Sequence, residues 1–510
     1  MPEPVSALPR SAGILLHPTS LPGRGVGDLG EAAHRFVDWL AGAEQTLWQL
    51  LPLVPVSEGG SPYNGLSAMA GNPLLVSPEG LVRDGLLDPD RVGGEELPDD
   101  RVDYSRAVPW KEGVVRAAWE GFRAGRAPAL REAFEDFRRR NAAWLEDYAL
   151  FRALRGVYRG AAWIEWERGV RLREPAALER AREELADEVE VHAFAQFLFD
   201  RQWGELRRHA GERGVRIVGD IPIFVAYDSA DVWAHQDVFH LDAEGHPVVV
   251  SGVPPDYFSK TGQRWGNPLY RWDVMEARGY RWWTERFRRT LELVDVVRID
   301  HFRGFESYWE IPADEETAIR GAWRPGPGAR LFEAVRRRLG ELPLIAEDLG
   351  LITAEVDALR DALGLPGMRV FQFAFGDDDR NPHLPASHPE GSVAYTGTHD
   401  NDTAVGWLRE SASDEERSRV ARLLDPAAED VHWEVIRLVL GSAARLALVP
   451  MQDVLGLGSE ARMNTPGTPE GNWGWRLPAG ALTEDLQRRL REVTLATGRA
   501  PRRSAAGAST

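Results

Sequence analysis

The stretch Asp295-Val-Val-Arg-Ile-Asp300-His301 reads as a short apolar strand that delivers an acid at its end. The same pattern returns in Leu342-Pro-Leu-Ile-Ala-Glu347 and in Val215-Arg-Ile-Val-Gly-Asp220. A looser version places Asp400 just after Ser392-Val-Ala-Tyr-Thr. Working outward, further apolar runs of strand length lie at 13–16, 47–50, 368–373 and 445–449, which makes eight in all. Helical periodicity separates several of them, over Glu31–Gly42, 280–293, 328–339, 353–363 and 482–496. Thr353, followed by Glu355, supplies an N-cap and an acidic first turn for the fourth of these. Strands separated mainly by helices predict an α/β fold, a parallel (β/α)8 TIM barrel.

Two stretches interrupt that repeat. Residues 80–205 are charged and helical in pattern, and predict a mainly helical subdomain inserted after the second strand. Residues 221–272 are rich in Gly, Pro and aromatic residues without clear periodicity, and predict an irregular, loop-rich insert after the third strand. Long loops of this kind inside compact proteins usually carry function. The expected organisation is a barrel start over 1–79, the helical insert over 80–205 and the rest of the barrel over 206–497. A small, basic and polar tail over 498–510 reads as disordered.

Composition removes several classes of function. A net charge of -18 leaves no basic surplus to neutralise phosphates, so no nucleic-acid or anionic-membrane partner is expected. The absence of cysteine excludes disulfides, thiolate nucleophiles and Cys-held metals. No apolar run approaches the roughly 20 residues of a membrane span. Met-Pro-Glu-Pro-Val-Ser lacks the basic and apolar regions of a signal peptide, so the expected address is cytoplasmic. The acidic balance points to a monomer. Lys111 and Lys260 are the chain's two lysines, which limits any mechanism needing a buried amine to these candidates. The 19 tryptophans serve cores, but indole faces also stack on the apolar faces of sugars.

Residues just past the strands of such a barrel lie on its C-terminal face, where active sites sit. Asp220, Asp300, Glu347 and Asp400 fall there. A lone acid after a strand commonly caps a helix or pairs with a cation, but four at equivalent positions argue for chemistry. A strand holds an acid rigidly at the edge of a low-dielectric wall, and two acids facing one bond suffice to split a glycosidic linkage. Arg298 precedes Asp300 by two residues, so both side chains point the same way. A guanidinium there is expected to depress the pKa of Asp300, as suits a nucleophile. Glu347 follows Leu-Ile-Ala, and burial is expected to raise its pKa, as suits a general acid. The adjacent Asp348 leaves open which of the two faces the site. His399 and Asp400 form a pair able to hydrogen-bond adjacent sugar hydroxyls, or merely to stabilise a loop. Acids at strand ends also build the magnesium sites of enolase-type lyases, which pair the metal with a lysine or histidine base. Neither lysine is placed for that role, and Asp400 lies two strands from Glu347.

Around these residues the chain resembles a known family. Arg298-Ile-Asp-His-Phe-Arg-Gly, Ala346-Glu-Asp-Leu-Gly and Thr398-His-Asp-Asn resemble the catalytic segments of the α-amylase clan of glycosidases. The loop Gly252-Val-Pro-Pro-Asp-Tyr-Phe-Ser-Lys-Thr-Gly-Gln-Arg-Trp-Gly-Asn-Pro-Leu-Tyr270 narrows the resemblance to the amylomaltase family of 4-α-glucanotransferases. Gly13-Ile-Leu-Leu-His-Pro-Thr-Ser-Leu-Pro, Ser61-Pro-Tyr, Gly219-Asp-Ile-Pro-Ile-Phe-Val-Ala and Asn464-Thr-Pro-Gly-Thr are similar as well. The resemblance implies Asp300 as nucleophile, Glu347 as general acid/base and Asp400 as the acid that stabilises the transition state. It places Tyr63, Asp220, Arg298 and His399 around the sugar at the cleaved bond. Gln263, Trp265 and His301 would shape the acceptor side, with Tyr257 and Phe258 enclosing it. Ser61 and Asp377 would touch donor sugars further out, and Asn464 belongs to the same set. It further implies a barrel with no C-terminal β-sandwich, no metal and no organic cofactor. The implied reaction transfers α-1,4-glucan segments to maltooligosaccharide or glucose acceptors by a retaining double displacement through a covalent glucosyl-enzyme. Glucose, small maltooligosaccharides and cyclic glucans would be the products. A hydrolase of the same clan and a non-catalytic glucan-binding protein are the competing readings. Asn64-Gly65 departs from the glutamine that the family often carries after Ser-Pro-Tyr, a difference that bears on chain-length preference.

Overall fold

The computed structural model describes residues 3–57, 59–93, 97–255, 259–376 and 380–501. Its strands in chain order are β1 (Ser11–Leu15), β2 (Leu47–Gln49), β3 (Arg216–Pro222), β4 (Val249–Val253), β5 (Gln263–Pro268), β6 (Val296–Asp300), β7 (Ser307–Pro312), β8 (Ala322–Pro325), β9 (Leu344–Ala346), β10 (Gly367–Val370), β11 (Ser392–Tyr395) and β12 (Leu446–Pro450). Eight of them run parallel in the order β10-β11-β12-β1-β2-β3-β6-β9, a nearly closed (β/α)8 barrel. Each of the eight expected runs is one of these strands. The seam between β9 and β10 is stitched by Ala346 N–H to Pro366 O at 2.9 Å and by Met368 N–H to the Asp348 carboxylate at 2.6 Å. Gly367 is required there, since a Cβ would lie 2.1 Å from Asp348 Oδ2.

Alternation along the strands sorts the barrel's two surfaces. Val218, Val296, Ile345, Met368, Val370, Val393, Tyr395 and Leu448 share one buried cluster that fills the interior. Val5 and Leu8, from the turn of helix before β1, belong to the same cluster and plug its bottom. Ile217, Val297, Ile299, Leu344 and Ala346 point outward into the larger core beneath the helices. Arg298 and Asp300 therefore share the inward side of β6 with Val296, and Glu347 follows Ile345 inward.

The region between β2 and β3 is helical, with helices Tyr104–Arg123, Leu130–Val157, Pro175–Glu184 and Ala186–Glu212. Trp119, Phe122, Phe134, Phe194 and Phe197 interlock there, with ring centroids 4.7–6.3 Å apart. Aromatic pairs in such geometry contribute about 0.5–1.5 kcal/mol beyond the area they bury. The last helix continues past residue 205, the boundary expected from the sequence, and runs to Glu212 before β3 begins. Lys111 ties this region to the barrel, donating to Asp28 Oδ2 at 3.0 Å and Val76 O at 2.5 Å while buried.

Three expectations need correction. The insert after β3 is not irregular throughout: β4 and β5 lie in it and join β7 and β8 in an antiparallel sheet of order β5-β4-β7-β8. Its second pair of strands comes from the segment after β6, so the pairing is long-range and leaves no local periodicity. β3 runs on to Pro222, pairing Ile221 with Ile299 and Pro222 with Asp300, so Asp220 lies within the strand and not past it. The tail does not start at Gly498. Arg499 is fully buried and donates to the carbonyls of Leu440, Ser11, Arg445, Ser442 and Ala444. Residues 502–510 of the expected tail lie outside the described residues. Among the described residues no helix is long and apolar enough to cross a membrane.

Candidate active site

Three neighbouring strands of the barrel bring the first group together. Asp220 on β3 pairs in register with Arg298 on β6, and Arg298 Nη1 donates to Asp220 Oδ2 at 2.6 Å. The same nitrogen stands 3.0 Å from Asp300 Oδ1. The cation between these acids is thus a guanidinium, nearly inaccessible at 3% exposure. Tyr63, in the loop after β2, donates its hydroxyl to Asp220 Oδ2 at 2.8 Å.

Glu347 follows β9 directly. Its Oε2 accepts the His301 N–H at 2.7 Å, and its Oε1 accepts the Leu349 N–H at 2.8 Å. Because His301 is the residue after Asp300, the bond fastens the Glu347 carboxyl beside Asp300. His301 adopts φ 53° and ψ 49° to present that N–H. A left-handed residue without glycine's freedom costs on the order of 1–2 kcal/mol and is held where surrounding contacts demand it. Asp348 has a different task. Its carboxylate accepts from Arg360 Nη1 at 2.6 Å as well as Met368 N–H, and its side chain is 2% exposed. Asp348 closes the barrel seam, which leaves Glu347 to face the site.

Asp400 arrives by a longer route, on the loop after β11. Asn464 Nδ2 donates to its Oδ1 at 2.6 Å, His399 Nε2 lies 3.4 Å from the same oxygen, and Arg462 Nη2 donates to its backbone carbonyl at 2.6 Å. His399 stacks on Tyr63 with ring centroids 5.0 Å apart and planes at 12°. On the rim, Trp265 of β5 meets the His301 ring edge-on at 4.8 Å, and its Nε1 donates to Gln263 Oε1 at 3.1 Å. Ser61 Oγ accepts the Tyr63 N–H at 3.3 Å, which shapes the turn that carries Tyr63. Tyr257, Phe258 and Asp377 lie outside the described residues.

Sequence reasoning passed over Trp473 and Arg462. Trp473 stands 5.8 Å from Tyr63 and 6.0 Å from His399, ring to ring, and is a non-glycine residue at φ 63°. Two tryptophans within Asn472-Trp-Gly-Trp475, just after a Pro- and Gly-rich turn, were the signal available for it. Arg462 gives no signal, being one arginine among many.

The electrostatics differ from the expectation at Asp300. Burial is the largest influence on it and pushes its pKa up; Arg298 pulls it down, while Asp220, Glu347 and Asp400 push it up again, to about 8. The depressed value expected from Arg298 fails because burial outweighs the guanidinium, which is also shared with Asp220 and opposed by the neighbouring acids. Glu347 is raised too, by burial first, against the pull of Arg298 and of its two N–H donors. Glu347 is among the groups that raise Asp300, so the titrations of the two acids are linked. Burial lowers the pKa of His301 to about 3 and also lowers that of His399, so both rings are neutral.

Comparison with known proteins gives this arrangement its family. The family model described as 4-alpha-glucanotransferase, Glyco_hydro_77, matches residues 16–483. A 4-alpha-glucanotransferase of Thermus thermophilus is 53% identical over 501 residues, covering 96% of this chain and 99% of the relative. That of a Synechocystis species is 48% identical, covering 96% and 98% respectively. Among solved structures, an amylomaltase from Streptococcus agalactiae in complex with acarbose superposes with a TM-score of 0.92 at 36% identity, over 96% of this chain and all of the other. The chain belongs to the Glyco_hydro_77 family of 4-alpha-glucanotransferases, the amylomaltases, and is an enzyme of that glycosyltransferase class.

Proposed function

We propose that the enzyme moves α-1,4-glucan segments between maltooligosaccharides by a retaining double displacement. Asp300, reacting in the ionised form that Arg298 favours, attacks the anomeric carbon while Glu347 protonates the departing 4-oxygen, giving a covalent β-glucosyl-enzyme and a free glucan end. Glu347 then takes the proton from the 4-hydroxyl of an incoming glucan or glucose, whose oxygen displaces Asp300 and restores an α-1,4 bond. Asp400, with His399, holds the reacting ring by its hydroxyls and stabilises the positive charge that develops on it. Tyr63, Asp220 and Arg298 line the same sugar; Gln263, Trp265 and His301 line the acceptor, and Ser61 the outer donor sugars. Linear products would include glucose and small maltooligosaccharides, and a donor chain whose own end serves as acceptor would cyclise.

The observation that carries this reading is the unequal support of the two acids. Arg298 lies 3.0 Å from Asp300, whereas Glu347 is fixed beside it by the His301 N–H at 2.7 Å. The first step needs the negative charge on Asp300, where Arg298 favours it, and a proton on Glu347, whose pKa burial raises. Transfer over hydrolysis is supported by Trp265, which β5 sets against His301 at the rim, since an acceptor held there competes with water by proximity. Incubation with maltotriose tests the reaction: glucose together with maltopentaose and longer chains is expected. Glucose and maltose alone would make the enzyme a hydrolase.

A further inference from the structure

The motif around His17 has no part in the mechanism above, yet His17 occupies the same rim as the catalytic acids, two residues past the end of β1. The ring is buried at 4% exposure, and its Nδ1 has no hydrogen-bond partner among the described residues. An unpaired polar atom in a protein interior costs about 1–3 kcal/mol, so it calls for an explanation. Burial first, and the neighbouring His399 second, lower the His17 pKa to about 3, leaving a neutral imidazole with one nitrogen free to accept.

That nitrogen belongs to a ring lining a small cavity of about 20 Å³, shared with His399, Asn401, Gln452 and Arg462. A space of roughly 10–15 Å³ or more, with polar partners around it, is room for one ordered water. The cavity lies against the loop that carries Asp400, lined on that side by Thr398, His399, Asn401, Asp402 and Thr403. Asp453, another residue lining the cavity, pins the loop by accepting from Thr396 Oγ1 at 2.5 Å and Ala404 N–H at 2.7 Å. Asp402 pins it further, accepting the hydroxyls of Ser411 and Ser459 at 2.8 Å each. On the β1 side the cavity is lined by Leu15, Leu16 and His17.

We propose that His17 is a positioning residue: one buried water donates to its Nδ1 and bonds the loop that carries His399 and Asp400, tying that loop to β1. Asn464 and Arg462 already hold Asp400, and the water would add a tie to β1; an acid misplaced by about 1 Å can cost on the order of 100-fold in rate. This inference rests on the role proposed above for Asp400.

The test uses the full chain with maltotriose and four variants. In His17→Asn the amide reaches the place of Nδ1, in His17→Gln the place of Nε2, and His17→Phe keeps the ring without nitrogen. The expected result is kcat lowered roughly 10- to 100-fold in the Phe and Gln variants, with KM within about twofold, and largely restored in the Asn variant. A merely structural role would move thermal midpoints without separating Asn from Gln. Wild-type kcat in the Phe variant, or equal kcat in Asn and Gln, would overturn the proposal. Should the Phe variant not fold, the Asn-to-Gln ratio decides. Asp400→Asn runs alongside: if it alone loses turnover, the positioning role fails and the reading of Asp400 stands. If Asp400→Asn keeps full turnover, that reading fails instead.

Discussion

Asp300 and Asp400 reach one site by different means. Asp300 is the last residue of β6, a strand bonded on both sides by β3 and β9. Asp400 stands five residues beyond the end of β11, on a loop whose position rests on side chains such as Asn464, Arg462 and Asn401. A backbone ladder places an acid without help from any one side chain, whereas a loop acid inherits the error of each of its supports. Strand-held groups should thus tolerate change around them, and loop-held groups should not.

The largest expected effect comes from the strand-held acid itself: Asp300→Asn should lower kcat by at least about 10⁴-fold, measured by glucose release from maltotriose. Next is a support of the loop acid. Asn464→Ala removes the 2.6 Å bond to Asp400 and should lower kcat roughly 10- to 100-fold with little change in stability. Its strand-side counterpart is Asp348→Asn, which weakens the barrel seam beside Glu347. It should cost about 1–3 kcal/mol in denaturant unfolding and leave kcat within about threefold. An Asp348→Asn variant as inactive as Asp300→Asn would end the distinction drawn between strand and loop.

The smallest effect is a pH dependence of stability. Asp300 holds its proton up to about pH 8 in the folded chain, against an ordinary value of 3.8. Between these values the folded state binds more protons than the unfolded one, so this group's contribution, full below pH 3.8, is lost as pH rises through 8. The Asp300→Asn variant lacks that dependence. Its thermal midpoint should gain on that of wild type by roughly 2–4 °C from pH 4 to pH 9. A constant difference across the range would show that Asp300 keeps an ordinary pKa.

The contrast also explains which features could be read in advance. Each barrel strand shows as a local apolar run, and helices such as Glu31–Gly42 show as a local period, because burial of a whole segment leaves its mark along that segment. What depends on pairing between distant segments leaves none. β4 and β5 find their partners β7 and β8 beyond β6, so the sheet that carries Trp265 was hidden among Gly, Pro and aromatic residues. Glu347 and Asp348 follow a strand buried on both faces, where Leu344, Ile345 and Ala346 show no alternation to say which acid points inward. Asp348 is revealed as a seam only once Met368 is seen beside it. The pKa of Asp300 is hidden for the same reason, since the sequence displays Arg298 but neither the burial of Asp300 nor the three acids that share its neighbourhood. Arg499 was assigned to a tail by composition, though its guanidinium finds five carbonyls from two ends of the chain.

The central claim is that Asp300 becomes covalently joined to sugar while Glu347 manages the proton. It is tested most directly by giving the Glu347→Gln variant α-maltosyl fluoride, whose leaving group departs without a proton donor, and digesting the protein for mass spectrometry. The account predicts a maltosyl adduct on the peptide that contains Asp300, and none when Asp300→Asn is added to the variant. An adduct on another carboxylate, or fluoride release with no adduct on any peptide, would contradict it.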